Sequence, residues 1–159
     1  MAIHTVKISD MLVLNGGNDE IITYSLGSCI GVTLYDPVIR LGGMLHCLLP
    51  QSKLNPAKAK ANPSMFVDSG LITMLDTFKN NGSDPKNLIC KVAGGGNFLD
   101  KKGFFKTGER NYTILRKVLW KKKIMIKAED VGGSIPRTMV FYMATGNTAI
   151  RSHGKEILL

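Results

Sequence analysis

What most limits the fold of this chain is a series of short apolar runs that follow one another across tight turns with no helix between them. Ile30, Val32 and Leu34 alternate with Gly31, Thr33 and Tyr35, the two-residue period of a strand. Asp36-Pro37 ends that run, and a second extends from about Leu41 to Leu49. Two strands joined by so short a connection read as an antiparallel pair. Residues 11–14 and 20–25 read as short strands around the turn Asn15-Gly16-Gly17-Asn18. Thr138–Ala144 and Thr148–Arg151 predict a hairpin across Thr145-Gly146-Asn147.

The middle of the chain supplies the helices. Residues 51–62 are polar, carry Lys53, Lys58 and Lys60 with Pro56 among them, and read as a mobile loop. Asn62-Pro63 predicts a helix start, a capping side chain before a proline at the first helical position. Leu71, Met74, Leu75 and Phe78 then share one helical face, and Asn81-Gly82 ends the helix. Leu88 to Ala93 reads as a strand, Gly94-Gly95-Gly96-Asn97 as a loop, and Asn111 to Lys122 as a second helix with Leu115, Val118 and Leu119 inward. Ile124 to Glu129 is a further strand, followed by the loop Asp130-Val131-Gly132-Gly133. Roughly eight strands, several joined directly, and two helices give an α+β class rather than a doubly wound sheet. The 159 residues suit one domain spanning 1–159.

Composition narrows the function classes. No apolar run approaches the ~20 residues of a membrane helix, so direct membrane insertion is not expected. Met1-Ala2-Ile3-His4-Thr5-Val6-Lys7 lacks the basic and apolar regions of a signal peptide, which makes the cytoplasm the expected location. Cys29, Cys47 and Cys90 are odd in number and lack metal-type spacing, so neither a disulfide framework nor a zinc site is expected. The net charge of +9 favours an acidic partner. Lys121-Lys122-Lys123 and Lys101-Lys102 read as solvated faces, and the few aromatic residues are not interleaved with the lysines. A stacking platform for nucleic acid is therefore not expected.

One constellation carries chemistry. Leu26-Gly27-Ser28-Cys29 is a glycine turn ending in a thiol, and His46 lies in Gly43-Met44-Leu45-His46-Cys47-Leu48-Leu49-Pro50. In a strand Met44, His46 and Leu48 point one way while Leu45, Cys47 and Leu49 point the other. Cys29 and His46 both lie far from the Asp36-Pro37 turn, so pairing their strands brings them together. A thiol beside an imidazole is a nucleophile with its base, and the neighbour favours thiolate. Thr23, just upstream, is placed to orient the ring. Cys47 and Cys90 read as core packing, and His4 and His153 show no partners near the termini. Ala93-Gly94-Gly95-Gly96-Asn97-Phe98 lacks the spacing of a dinucleotide fingerprint, so close backbone approach to a peptide substrate, or tight packing near the active site, is the better reading.

These residues together resemble the CheD family, the chemoreceptor glutamine deamidases of bacterial and archaeal chemotaxis. The resemblance covers most of the chain. It runs through Thr23, Leu26-Gly27-Ser28-Cys29, Asp36-Pro37, Gly43-Met44-Leu45-His46 and Leu49-Pro50. It continues through Lys91-Val92-Ala93-Gly94-Gly95, Gly108-Glu109-Arg110-Asn111, Ala128-Glu129-Asp130-Val131-Gly132-Gly133 and Arg137. Pro136, and the segment Gly96-Asn97-Phe98, depart from the family's pattern.

The resemblance implies Cys29 as nucleophile, His46 as base and acid, and Thr23 as the residue orienting His46. It implies substrate or partner contacts at Ser28, Gly94, Gly95, Arg110 and Asn111. It also implies a sandwich of packed mixed sheets flanked by helices, like a cytotoxin deamidase, and a cysteine hydrolase without metal or organic cofactor. The implied partners are the cytoplasmic coiled coil of methyl-accepting chemotaxis receptors and a CheC-type phosphatase, met by a monomer. The residues themselves leave three alternatives open: a non-catalytic regulator binding such a phosphatase, a nucleic-acid-binding protein, and a thiol hydrolase of another amide or ester.

Overall fold

The computed structural model describes residues 1–97, 100 and 102–159. Phe98 and Lys101, both singled out by the sequence, lie outside the described residues.

Ten strands form two five-stranded sheets. β1 (Ile3–Thr5), β3 (Glu20–Leu26), β8 (Arg137–Tyr142), β9 (Asn147–Ser152) and β10 (Lys155–Leu158) lie side by side in one. The other has the order β2 (Asp10–Asn15), β5 (Leu41–Cys47), β4 (Ile30–Asp36), β6 (Ile89–Gly94) and β7 (Ile126–Val131). Both are mixed, because β1 runs parallel to β3 and β6 parallel to β7. Helices α2 (Val67–Asn80) and α3 (Thr107–Lys121) pack on the second sheet.

The layers are thus helices, sheet, sheet. This explains why β4 and β5 are buried along their whole length despite their alternating sequence. Ile30, Val32 and Leu34 join the core beneath the helices with Leu71, Met74 and Leu115. The smaller alternate positions face the other sheet, where Tyr35 and Met44 meet Met139 and Phe141. Gly31 and Gly42 let the sheets close up. A Cβ at Gly31 would stand 2.9 Å from the side chains of Leu26 and Met139, and one at Gly42 2.5 Å from the Phe141 ring. A bulky–small alternation that looks half-exposed in sequence is here the middle layer of three.

Several boundaries differ from the sequence expectation, each for a local reason. The polar stretch 51–62 is not a mobile loop but a 3₁₀ turn, Ser52–Leu54, and a short helix α1, Pro56–Ala61. Asn55 caps it by accepting the Lys58 N–H, with Pro56 in the first turn. Asn62-Pro63 starts only the 3₁₀ turn Pro63–Met65, and the long helix begins at Val67. Its inward face is Val67, Gly70, Leu71, Met74 and Phe78. α3 starts at Thr107, ahead of the predicted Asn111. The strands flanking the Asn15–Asn18 turn do not pair with each other but enter different sheets. The end strands β1 and β10 are short and lack a clear alternation, so the sequence gives them no signal. His4 does have a partner, Asp19, at 2.8 Å.

Candidate active site

The site forms where the two sheets face each other. The β4–β5 ladder sets His46 opposite Gly31. Cys29 immediately precedes β4, two positions before Gly31, which makes it the diagonal neighbour of His46 at the end of the ladder. His46 is fully buried, whereas Cys29 keeps 7% of its surface accessible. From the facing sheet comes Thr23 on β3, also fully buried. Immediately after Thr23 the β3–β8 register slips, and Ser25 takes φ 59°. This bulge turns Tyr24 and Ser25 to solvent and sends the chain into the Gly27-Ser28-Cys29 turn.

The hydrogen bonds at Thr23 fix the state of the imidazole. The Thr23 hydroxyl donates to the Val6 carbonyl at 2.7 Å and lies 2.6 Å from His46 Nδ1. Its one proton goes to Val6, since a carbonyl can only accept. The hydroxyl oxygen must then accept from Nδ1–H. That tautomer leaves Nε2 as a bare lone pair, and Nε2 is buried with no hydrogen-bond partner. The side chain is locked at one nitrogen and ready to take a proton at the other.

Burial sets the charges. It pushes the Cys29 thiol above its ordinary value, with the residue's own backbone N–H pulling slightly the other way. It drives the His46 imidazole down to about 4. The resting pair is therefore a neutral thiol and a neutral imidazole at neutral pH. The thiolate expected from the neighbouring imidazole is not the resting form, because desolvation penalises both ionised partners. Cys90 is pushed up to about 12 and Cys47 higher still, mainly by burial.

Two glycine loops and one arginine hold the turn. Gly95 N–H donates to the Cys29 carbonyl and Gly96 N–H to the Gly27 carbonyl, both at 2.8 Å. Gly94 has φ +101°, and a Cβ there would collide with the Cys29 carbonyl, so only glycine allows the approach. Gly132 N–H donates to the Gly94 carbonyl at 2.9 Å. Arg137, nearly buried, donates to the Gly132 carbonyl at 2.7 Å and pairs with Asp130. Arg137 was visible in the sequence only as a matched position. The Val6 carbonyl, being backbone, has no sequence signal.

The remaining expected contacts separate. Ser28 and Gly95 line a cleft of about 390 Å³, walled by Gly96, Gly108, Gly132 and Gly133. Gly94 is buried behind that wall. Arg110 is exposed beside a second cleft with Pro50 and Gln51. Asn111 points inward and is fully buried. A cleft of about 680 Å³ runs along α3 past Tyr112, Arg116 and Trp120, and neither Cys29 nor His46 lines it. Among the described residues no group of three His, Cys, Asp or Glu side chains is placed to hold a metal ion.

Comparison with known proteins gives a consistent set. The profile of the family described as CheD chemotactic sensory transduction matches residues 48–152. Relatives extend that match over the segment carrying Cys29 and His46. The chain is 42% identical over 149 residues to a protein of Syntrophus aciditrophicus named probable chemoreceptor glutamine deamidase CheD 1, covering 94% of this chain and 93% of the other. A protein of Solibacter usitatus bearing that name without the numeral is 38% identical, covering 95% and 89%. One from Clostridium tetani is 41% identical, covering 97% and 95%. The fold is similar to that of Bacillus licheniformis hypothetical protein YfiH, with a TM-score of 0.50 and 16% identity. That likeness covers 77% of this chain and 49% of YfiH, so the chain spans about half of that protein.

Proposed function

This chain belongs to the CheD family of chemotactic sensory transduction proteins, and we propose that it deamidates chemoreceptor glutamines through a thioester on Cys29. It is a chemoreceptor glutamine deamidase, a protein-glutamine glutaminase, as its relatives are named. The observation that carries the mechanism is the bare, buried Nε2 of His46, with Nδ1 held by Thr23.

In the first half-reaction Cys29 Sγ attacks the side-chain carboxamide carbon while His46 Nε2 takes the thiol proton. Charge moves onto the carboxamide oxygen, where the Cys29 backbone N–H is the nearest donor on the nucleophile itself. The imidazolium returns its proton to the nitrogen as the C–N bond breaks, and ammonia leaves. A thioester remains. In the second half-reaction His46 takes a proton from water, the hydroxide adds to the thioester, and Cys29 departs, regaining the proton. The balance is carboxamide plus water giving carboxylate plus ammonium, the proton of the new carboxylic acid passing to the released ammonia. Because the resting pair is neutral, the attack and the proton transfer proceed together, so no ion pair need persist in the buried site.

The glycine-walled cleft beside Ser28 suits an extended, slender side chain such as glutamine. Ser28 and Gly95 are assigned to its lining, Gly94 to the support behind it, and Arg110 to a partner contact at the neighbouring cleft. The whole chain, 1–159, is read as one domain acting as a monomer in the cytoplasm, with a CheC-type phosphatase as a competing partner. These last points follow from the family resemblance. No helix among the described residues is long and apolar enough to cross a membrane.

Mass spectrometry of a receptor cytoplasmic fragment co-expressed with the protein tests the reading. Conversion of particular glutamines to glutamates by the wild-type chain, and none by Cys29→Ala, is expected. Conversion that persists in Cys29→Ala would overturn it.

A further inference from the structure

Asn111 is a buried polar side chain beside the site that the mechanism above does not use. It is fully buried in the first turns of α3. Its Nδ2 donates to the Ser28 carbonyl at 2.9 Å and to the Leu48 carbonyl at 3.1 Å. Ser28 precedes the nucleophile, and Leu48 lies two residues beyond the base. No backbone N–H of the described residues outside the strands and helices is bonded to either carbonyl. One carboxamide therefore bridges the two chain segments whose separation sets the Cys29–His46 distance.

The orientation of that carboxamide is unambiguous. Two carbonyls face it, so its two N–H groups must point at them and Oδ1 away. Oδ1 is buried without a hydrogen-bond partner. An unmet buried acceptor is destabilising. The site thus tolerates an orphan oxygen in order to keep both donors on the Ser28 and Leu48 carbonyls. A leucine there, of similar size, would leave both carbonyls unmet and the two segments unlinked.

We propose that Asn111 is a positioning residue that fixes the distance between the Cys29 thiol and the His46 imidazole by tying the carbonyls of Ser28 and Leu48 to one side chain. The inference rests on the Cys29–His46 assignment made above, but it concerns the reactivity of the thiol and not the identity of the substrate. Proton transfer between the pair is steep in distance, and a displacement of about 1 Å can cost on the order of a hundredfold. Asn111 thereby holds the pair at its working separation from behind the site, without itself touching substrate.

The test is the rate of Cys29 alkylation by iodoacetamide, followed by peptide mapping between pH 5 and 9, in a two-by-two set. Asn111→Leu and Asn111→Asp are each made in the wild-type and His46→Ala backgrounds, with folding checked by thermal unfolding. Asn111→Asp is isosteric and covers the case in which Asn111→Leu does not fold. In the wild-type background each substitution should slow alkylation by about tenfold or more. In the His46→Ala background the further loss should be under about twofold, because no pair remains to position. Equal losses in both backgrounds would mark Asn111 as a merely structural residue, and no loss in either would remove it from the site. Failure of the chain to deamidate receptor fragments, with the coupling intact, would overturn the proposed function and leave the positioning role standing.

Discussion

β5 has two faces, and they have opposite fates. His46 and Cys47 are adjacent on it, and both are fully buried. Cys47 faces the helices, among Leu45, Val67 and Leu71, with the Phe66 carbonyl 3.6 Å from its sulfur. His46 faces the other sheet, from which Thr23 meets its ring, and Cys29 joins the core between the two sheets on that side. Cys29 and Cys47 are both thiols with values raised by burial. They differ in depth, Cys47 being fully buried while Cys29 keeps 7% of its surface accessible, and they differ in company. Cys29 lies diagonally across the ladder from an unprotonated imidazole nitrogen, whereas Cys47 packs among alkyl groups and a carbonyl, with the nearby Cys29 and Asp68 adding to the effect of burial. Burial alone makes a cysteine inert, whereas burial beside a tautomer-locked base makes a concealed nucleophile.

The sharpest way to break this contrast is Cys29→Ser, which keeps the shape and removes the nucleophile. Deamidation of a receptor fragment should fall by on the order of 10⁴-fold or more, as for other nucleophile deletions. Substantial residual turnover would show that the reactive sulfur lies elsewhere.

Next comes His46→Ala, which should reduce the rate by on the order of a hundredfold or more. It also carries a pH signature. The folded value of about 4 lies below the ordinary 6.5, so the unfolded chain binds the proton first as pH falls. His46 therefore contributes stability that is complete above about pH 6.5 and is lost as pH falls towards 4. Denaturant titrations across that range should show the decline in the wild type and a flatter profile in His46→Ala. A base that stays neutral to about pH 4 also predicts that the acid limb of kcat/KM lies well below pH 6.5.

Thr23 gives a graded effect. Thr23→Ala loses the hydroxyl between Val6 and Nδ1, and kcat should drop by about ten- to a hundredfold with KM nearly constant. Thr23→Ser keeps the hydroxyl and should remain within a fewfold of wild type. Equal losses in both variants would argue against ring orientation by the hydroxyl. The smallest effect on activity belongs to the other face. Cys47→Ala should leave turnover within about twofold and cost about 1–2 kcal/mol of stability, seen as a lowered unfolding temperature.

How far the sequence could be read depended on whether a feature was local. The Ile30–Tyr35 alternation, the Asp36-Pro37 stop and the apolar run after it were enough to pair β4 with β5, and so to bring Cys29 near His46. The spacing of Leu71, Met74 and Phe78 sufficed for α2. The stretch at 51–62 was misread because its lysines outweighed Asn55-Pro56, although the same cap-and-proline pair was recognised at Asn62-Pro63. Long-range features left little trace. No pattern in a single chain says that β3 and β4 enter different sheets, or that Val6 would supply a carbonyl to Thr23. Asn111 and Arg137 stood out only through family resemblance, and their contacts needed three-dimensional placement.

The glycine loops that grip the turn also set a timetable for the chain as it is made. Thr23, Cys29 and His46 all lie in the first third of the sequence. The groups that hold them, the amides of Gly95 and Gly96, the carboxamide of Asn111 and the guanidinium of Arg137, follow much later. A ribosome adds about 5–20 residues per second. For several seconds the nascent chain thus carries a nucleophile, its base and the orienting hydroxyl without the frame that aligns them. The thiol is then an ordinary one in a loose segment, and it acquires its working geometry only when the later strands close over it. The alignment of Cys29 with His46 therefore depends on parts of the chain that are made last.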